Sequence, residues 1–172
     1  MRETQYPLYC AKAKSILLST FTLIITLVLV SSLLSCSKGK KKADLTDYEL
    51  FTFGEKDMSK EHYEKARESF KRIVEEHPDS ELRKEALLRL AESYYNNEEY
   101  EEAKLEFTKF LEMFPASSLS ARAQYYLGMS SFLQIRSPER DQRPTKQALK
   151  EFEKVIEKYP GSDYAKRAQE KI

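Results

Sequence analysis

The chain has 172 residues, of which 29 are Lys or Arg and 28 are Asp or Glu, so its formal net charge is only +1. This balance gives no sign of a nucleic-acid partner. Four glycines, no tryptophan and abundant Leu, Ala, Glu and Lys favour an all-α fold over a sheet.

The N-terminal stretch is a weakly basic leader followed by a long apolar run. Residues 16–34 carry no charge, and Ser35 and Cys36 follow directly. This order resembles a bacterial lipoprotein signal, in which residues 1–35 are a signal peptide and cleavage leaves Cys36 to be acylated. Residues 36–43 would then be the acylated cysteine and a polar tether.

An uncleaved membrane helix is the alternative for the same stretch. Its nineteen uncharged residues nearly suffice to cross a bilayer. Four lysines, at positions 38, 40, 41 and 42, follow at once, where the positive-inside rule prefers the cytoplasm.

A pattern of small, aromatic and apolar residues closed by proline occurs three times in the rest of the chain. The copies are Ala66, Phe70, Ile73 and Pro78; Ala103, Phe107, Phe110 and Pro115; and Ala148, Phe152, Val155 and Pro160. Offsets of four and seven place the first three residues on one side of a helix, which proline then ends. Such periodicity is typical of a solenoid.

The repeat divides residues 44–172 into units at about 44–78, 79–115 and 116–160 and a partial unit at 161–172. We expect helices over residues 44–58, 63–77, 80–96, 100–114, 117–135 and 145–159, with a seventh from Ser162. Asp44 or Thr46 should cap the first helix, serines at 80, 117 and 162 should cap later ones, and Asn96-Asn97 should form a turn. The last helix should leave Tyr164 and Ala168 without packing partners, as in a truncated chain.

The first helix of each unit carries matching residues that should pack on the second. Leu50, Phe53 and Gly54 correspond to Leu87, Leu90 and Ala91, and then to Leu127 and Gly128. With the small and aromatic residues above, this resembles the tetratricopeptide repeat. The predicted fold is an all-α tetratricopeptide solenoid of about three helix pairs and the start of a fourth, preceded by an N-terminal signal helix.

The lipoprotein signal, the repeats and the stretch from Glu139 to Ala165 together resemble the BamD family, the lipoprotein subunits of the outer-membrane β-barrel assembly machinery. The resemblance implies a lipid-anchored protein on the periplasmic face of the outer membrane. Its partners would be the BamA-like barrel subunit, other lipoproteins of the complex and unfolded outer-membrane proteins.

A second stripe on the first helices should form a peptide groove, in which Tyr95 and Tyr125 are the principal lining residues. Aromatic and methionine side chains supply adaptable contact area for an extended peptide. The alternative is that these residues only pack on the next unit. The candidates are Tyr48, Phe51, Leu88, Tyr95, Asn96, Tyr125, Met129 and Phe132.

The third unit contains eight additional residues, which we expect to form a charged loop, and docking of a partner subunit is the functional hypothesis for it. Its candidate residues are Arg136, Arg140, Asp141 and Arg143. The alternative is a solvated, self-paired loop with little energetic role.

An enzyme is the least favoured class, since no nucleophile with a base and no phosphate-binding glycine loop is present. No cofactor or metal is expected. A periplasmic repeat protein associated with the Tol-Pal system is the rival scaffold, and Cys36 distinguishes the two. A helix-anchored scaffold facing the cytoplasm is the third possibility.

Overall fold

Seven α-helices make up the part of the chain that the computed structural model describes, residues 45–135 and 142–172. They are α1 (Asp47–Met58), α2 (Tyr63–Glu76), α3 (Arg83–Asn96), α4 (Tyr100–Met113), α5 (Ser120–Phe132), α6 (Arg143–Lys158) and α7 (Asp163–Gln169). The predictions for the signal peptide, Cys36, the tether, Asp44 and most of the inserted loop lie outside these residues.

Each helix packs on the next one along the chain, and the first helices of neighbouring units also contact each other, α3 with α5 and α5 with α7. This order of contacts is that of a tetratricopeptide-like solenoid, in which each unit touches only its neighbours. The prediction of an all-α tetratricopeptide-like solenoid is confirmed for the described residues. Within residues 45–135 and 142–172 no helix is long and apolar enough to cross a membrane.

The repeated residues form the contacts inside each helix pair. The nine small, aromatic and apolar residues of the three copies are all buried. A Cβ atom on Gly54 would lie 2.5 Å from the Phe70 ring, and one on Gly128 would lie 2.8 Å from the Phe152 ring. Glycine therefore lets the aromatic ring of the second helix approach the backbone of the first.

The serine caps were predicted correctly at one of the three positions. Ser162 Oγ accepts a hydrogen bond from the Ala165 amide at 3.1 Å, as an N-cap should. Ser80 and Ser117 instead accept from the amide two residues on, at 3.0 and 3.2 Å, which makes a turn before the helix begins. As a consequence, α3 and α5 start three residues later than predicted.

The structure also confirms the predicted cap of α1 and shifts the predicted turn between α3 and α4. Thr46 caps α1 through a capping box with Glu49. In the turn between α3 and α4 the residue with left-handed backbone is Glu98, with φ of 61°. In the turn between α1 and α2 it is Glu61, with φ of 60°. The predicted Asn96-Asn97 turn is thus shifted, because Asn96 still belongs to α3.

Two predictions about packing are wrong. Phe53 was expected in the core but is 43% exposed, because no described helix covers that side of α1. Ala168 is fully buried, and Tyr164 packs on a core that includes Tyr125 and Phe152. Tyr164 and Ala168 of α7 therefore pack on α5 and α6.

Candidate functional site

One side of the first helices forms a continuous surface, which we call the first-helix face. It is made by residues that share three repeat positions: Tyr48, Thr52 and Glu55 of α1; Glu85, Arg89 and Glu92 of α3; and Arg122, Tyr126 and Met129 of α5. Offsets of four and seven residues place the three members of each helix on one side. Stacking of the units then brings the three sets side by side.

Ion pairs connect the three helices across this face. Arg89 donates to Glu55 at 2.7 Å and to Glu92 at 3.1 Å. Arg122 donates to Glu92 at 2.7 Å. The alternating chain Glu55, Arg89, Glu92 and Arg122, which we call the ion-pair ladder, therefore joins α1 to α3 and α3 to α5.

The centre of the ion-pair ladder is buried. Glu92 is only 4% exposed, whereas the side chains of Arg89 and Arg122 keep about a quarter of their surface in solvent. Burial raises the pKa of Glu92, and the two arginines oppose that shift. Two acids and two bases cancel within the ladder, so the formal charge that remains on the face is the negative charge of Glu85.

Tyrosine rings lie beside the ladder. Tyr126 packs edge-on against Tyr95 with 5.0 Å between ring centroids, and against Tyr125 at 5.5 Å. Tyr100 and Tyr164 extend this tyrosine cluster at 5.7 and 5.5 Å from their neighbours. Burial raises the pKa of Tyr95 to about 12, with nearby tyrosines adding to the shift. The Tyr95 phenol therefore stays protonated at neutral pH and can donate a hydrogen bond.

Most of the predicted groove residues are accessible in the structure. Tyr48 is 72% exposed, and Asn96 is also exposed. Phe51, Tyr95, Met129 and Phe132 are half-buried; Phe51 packs edge-on against Phe70 and Phe132 contacts Phe152. These six residues have surface available for a ligand.

The other two groove predictions need correction. Leu88 is completely buried and Tyr125 is 8% exposed. Both occupy the repeat position of Phe51. Tyr125 packs on Tyr164 of α7, so it contacts the neighbouring unit as in the alternative interpretation. Leu88 is part of the hydrophobic core and offers no surface to a ligand.

Arg89, Arg122 and Tyr126 of this face were not among the predicted groove residues, because the prediction rested on aromatic and apolar side chains. The available signal was the pairing of opposite charges at adjacent repeat positions, Glu55 with Arg89 and Glu92 with Arg122.

Of the predicted partner loop, only Arg143 lies in the described part of the chain, where it begins α6. It lines a cavity between α4, α5 and α6 together with Lys104 and Ser131. Arg136, Arg140 and Asp141 lie outside the described residues.

The fold defines an all-helical repeat protein of the tetratricopeptide-like type. A family described as outer membrane lipoprotein (YfiO) matches residues 43–172. The chain belongs to this outer membrane lipoprotein family. No curated protein matches the chain significantly.

Proposed function

We propose that this protein is a non-catalytic, lipid-anchored scaffold of the outer-membrane β-barrel assembly machinery. It would hold unfolded outer-membrane proteins and partner subunits at the periplasmic face of the outer membrane. Membership of an outer membrane lipoprotein family supports the membrane association, and the resemblance to the BamD family supports the machinery. The observation that carries the binding role is the first-helix face.

The first-helix face combines rigidity with adaptable contacts. The ion-pair ladder ties three helices together, which lowers the entropy that a ligand must remove on binding. Tyr48 on the face and Tyr95 in the adjoining tyrosine cluster offer large amphipathic contact area at small entropy cost. Phenol hydroxyls can donate to the free carbonyl groups of an unfolded chain. An extended segment rich in aromatic and apolar side chains fits this surface best.

Two exposed side chains with nearly equal solvent exposure provide the test of this site. Tyr48, on the face, is 72% exposed, and Leu105, on α4, is 71% exposed. We expect Tyr48→Ala combined with Met129→Ala to weaken binding of a fluorescent peptide from a barrel strand about tenfold, a loss of about 1.4 kcal/mol. Leu105→Ala is the control and should bind normally. Equal losses in both variants, or none in either, would contradict the proposed site.

The lipid anchor is proposed at Cys36, after removal of residues 1–35. Acyl chains add about 0.8 kcal/mol per buried methylene, so two or three of them hold a protein at a membrane. Metabolic labelling with a fatty-acid analogue should mark the wild type and not Cys36→Ala, which should also leave the membrane fraction. Membrane retention of an unlabelled wild type would instead support an uncleaved helix.

A further inference from the structure

The two junctions between complete units differ on the side of the second helices. At the first junction, the Arg67 guanidinium lies 4.4 Å from the centroid of the Tyr94 ring. Arg67 also donates to Glu99 at 2.7 Å. A ring and a carboxylate together therefore satisfy the cation there.

At the second junction both partners of the cation are replaced. Thirty-seven residues after Arg67 and Tyr94 stand Lys104 and Ser131, and forty-five after Glu99 stands Pro144. Lys104 donates instead to Glu101 at 2.9 Å and to Gln134 at 3.0 Å. The space that a ring fills at the first junction is left open at the second.

A cavity of about 350 Å³ lies at this place. It is lined by Glu101, Lys104, Ser131, Gln134, Arg143, Pro144 and Gln147. The corresponding residues of the first junction are Glu64, Arg67, Tyr94, Asn97, Glu98, Glu99 and Glu102. Three acids have thus become Arg143, Pro144 and Gln147, so the second site is more basic than the first.

The cavity also contains an unsatisfied polar group. Ser131 is 1% exposed, and its hydroxyl has no hydrogen-bond partner within residues 45–135 and 142–172. Buried hydroxyls nearly always have a partner in folded proteins. A ligand that brings a hydrogen-bonding group into the cavity would supply one.

We propose that this cavity receives an aromatic side chain, tyrosine best, next to a carboxylate, both supplied by a segment of a partner polypeptide. The ring would take the place that Tyr94 fills at the first junction, within reach of the Lys104 cation. Its hydroxyl would pair with Ser131, and the carboxylate would lie beside the Lys104 and Arg143 cations, as Glu99 lies beside Arg67 at the first junction. None of the lining residues belongs to the first-helix face, so this site is independent of the proposed groove and of the lipid anchor.

The test uses the full-length protein in detergent and the blocked dipeptide N-acetyl-Glu-Tyr-amide. The side-chain amides of Gln134 and Gln147 line the cavity and report occupancy by NMR. We expect saturable shifts of both amides, with a dissociation constant on the order of 1 mM. Ser131→Tyr should fill the cavity and abolish the shifts. Ser118→Tyr, at an exposed serine outside the cavity, is the matched control and should bind normally.

Changes in the probe keep the proposal testable even if Ser131→Tyr does not fold. N-acetyl-Gln-Tyr-amide should bind about fivefold more weakly, because it lacks the charge. N-acetyl-Glu-Ala-amide and inorganic phosphate should produce no saturable shift. The proposal is overturned if either of these two shifts the amides as strongly as the tyrosine peptide. It is also overturned if the tyrosine peptide shows no effect up to about 10 mM.

Discussion

The first and second junctions of the array share one frame but are held together differently. On the first-helix face both use a carboxylate and an arginine, yet the Glu55 side chain is 35% exposed whereas that of Glu92 is 6% exposed. On the opposite side, the first junction contains Tyr94 and the second contains a cavity beside Ser131. Both junctions keep the buried small and aromatic residues of the repeat, whereas they differ in the burial of the carboxylate and in the residue at the position of Tyr94 and Ser131.

The largest difference between the two junctions should appear when the carboxylates of Glu92 and Glu55 are removed one at a time. Glu92→Ala leaves Arg89 and Arg122 without their shared partner, and we expect a loss of about 2–3 kcal/mol in the free energy of unfolding. The value lies at the low end because both arginines keep some solvent contact. Glu55→Ala should cost less than about 1 kcal/mol. Urea denaturation measures both, and equal losses would show that burial does not distinguish the junctions.

Tyr94 and Ser131 occupy the same repeat position at the two junctions. Exchanging serine and tyrosine there should open a cavity at the first junction and fill the one at the second. Tyr94→Ser removes the ring under Arg67, and we expect a loss of about 2 kcal/mol. Ser131→Tyr fills space that is already open and should change stability by less than about 1 kcal/mol. Thermal unfolding compares the two variants. A large destabilisation by Ser131→Tyr would show that the second junction cannot accommodate the ring.

The third prediction concerns the position where Gly54 and Gly128 stand in the outer units and Ala91 in the middle one. At the two glycines, the aromatic ring of the second helix lies close to the backbone of the first. An added methyl at Gly54 or Gly128 would displace a buried ring, at about 1–3 kcal/mol, and alanine's better helix preference offsets about 1 kcal/mol of this. We therefore expect a net loss of about 1 kcal/mol for Gly54→Ala and somewhat less for Gly128→Ala, whose contact is longer. A gain in stability from either would mean that the ring shifts freely.

The smallest expected effect is on the pH dependence of stability, to which Glu92 and Glu99 should contribute with opposite signs. Burial raises the pKa of Glu92 above its ordinary value of 4.5. Its titration therefore stabilises the fold most below pH 4.5, and this contribution is lost as pH rises through the folded pKa. A hydrogen bond from Arg67 lowers the pKa of Glu99. That contribution is present above pH 4.5 and is lost as pH falls through the folded pKa.

Comparison with Glu92→Gln and Glu99→Gln isolates the two contributions. On acidification from pH 7 toward 4.5, the stability of the wild type relative to Glu92→Gln should rise. The stability of the wild type relative to Glu99→Gln should stay constant down to pH 4.5 and decrease below that pH. Slopes of the same sign for both pairs would contradict the assigned causes.

The helix pairs were predictable because their signal is local and repeated. Ala66, Phe70 and Ile73 recur at fixed spacing, and their burial follows from helical geometry alone. The accessibility of Tyr48 and Met129 was also predictable from the aromatic and apolar stripe. The burial of Leu88 was not, because residues on one helix side divide between solvent and the neighbouring unit according to the stacking angle.

Spacing along one chain was enough to predict the all-α class, the repeats and the side of each helix that packs within its pair. Which charges meet and where space remains became known from the packing of the units. The contact of Arg122 with Glu92 and the cavity beside Ser131 arise between units, where the twist of one helix pair on the next sets the distances. Such distances are a property of the stack as a whole and are not encoded in any single repeat.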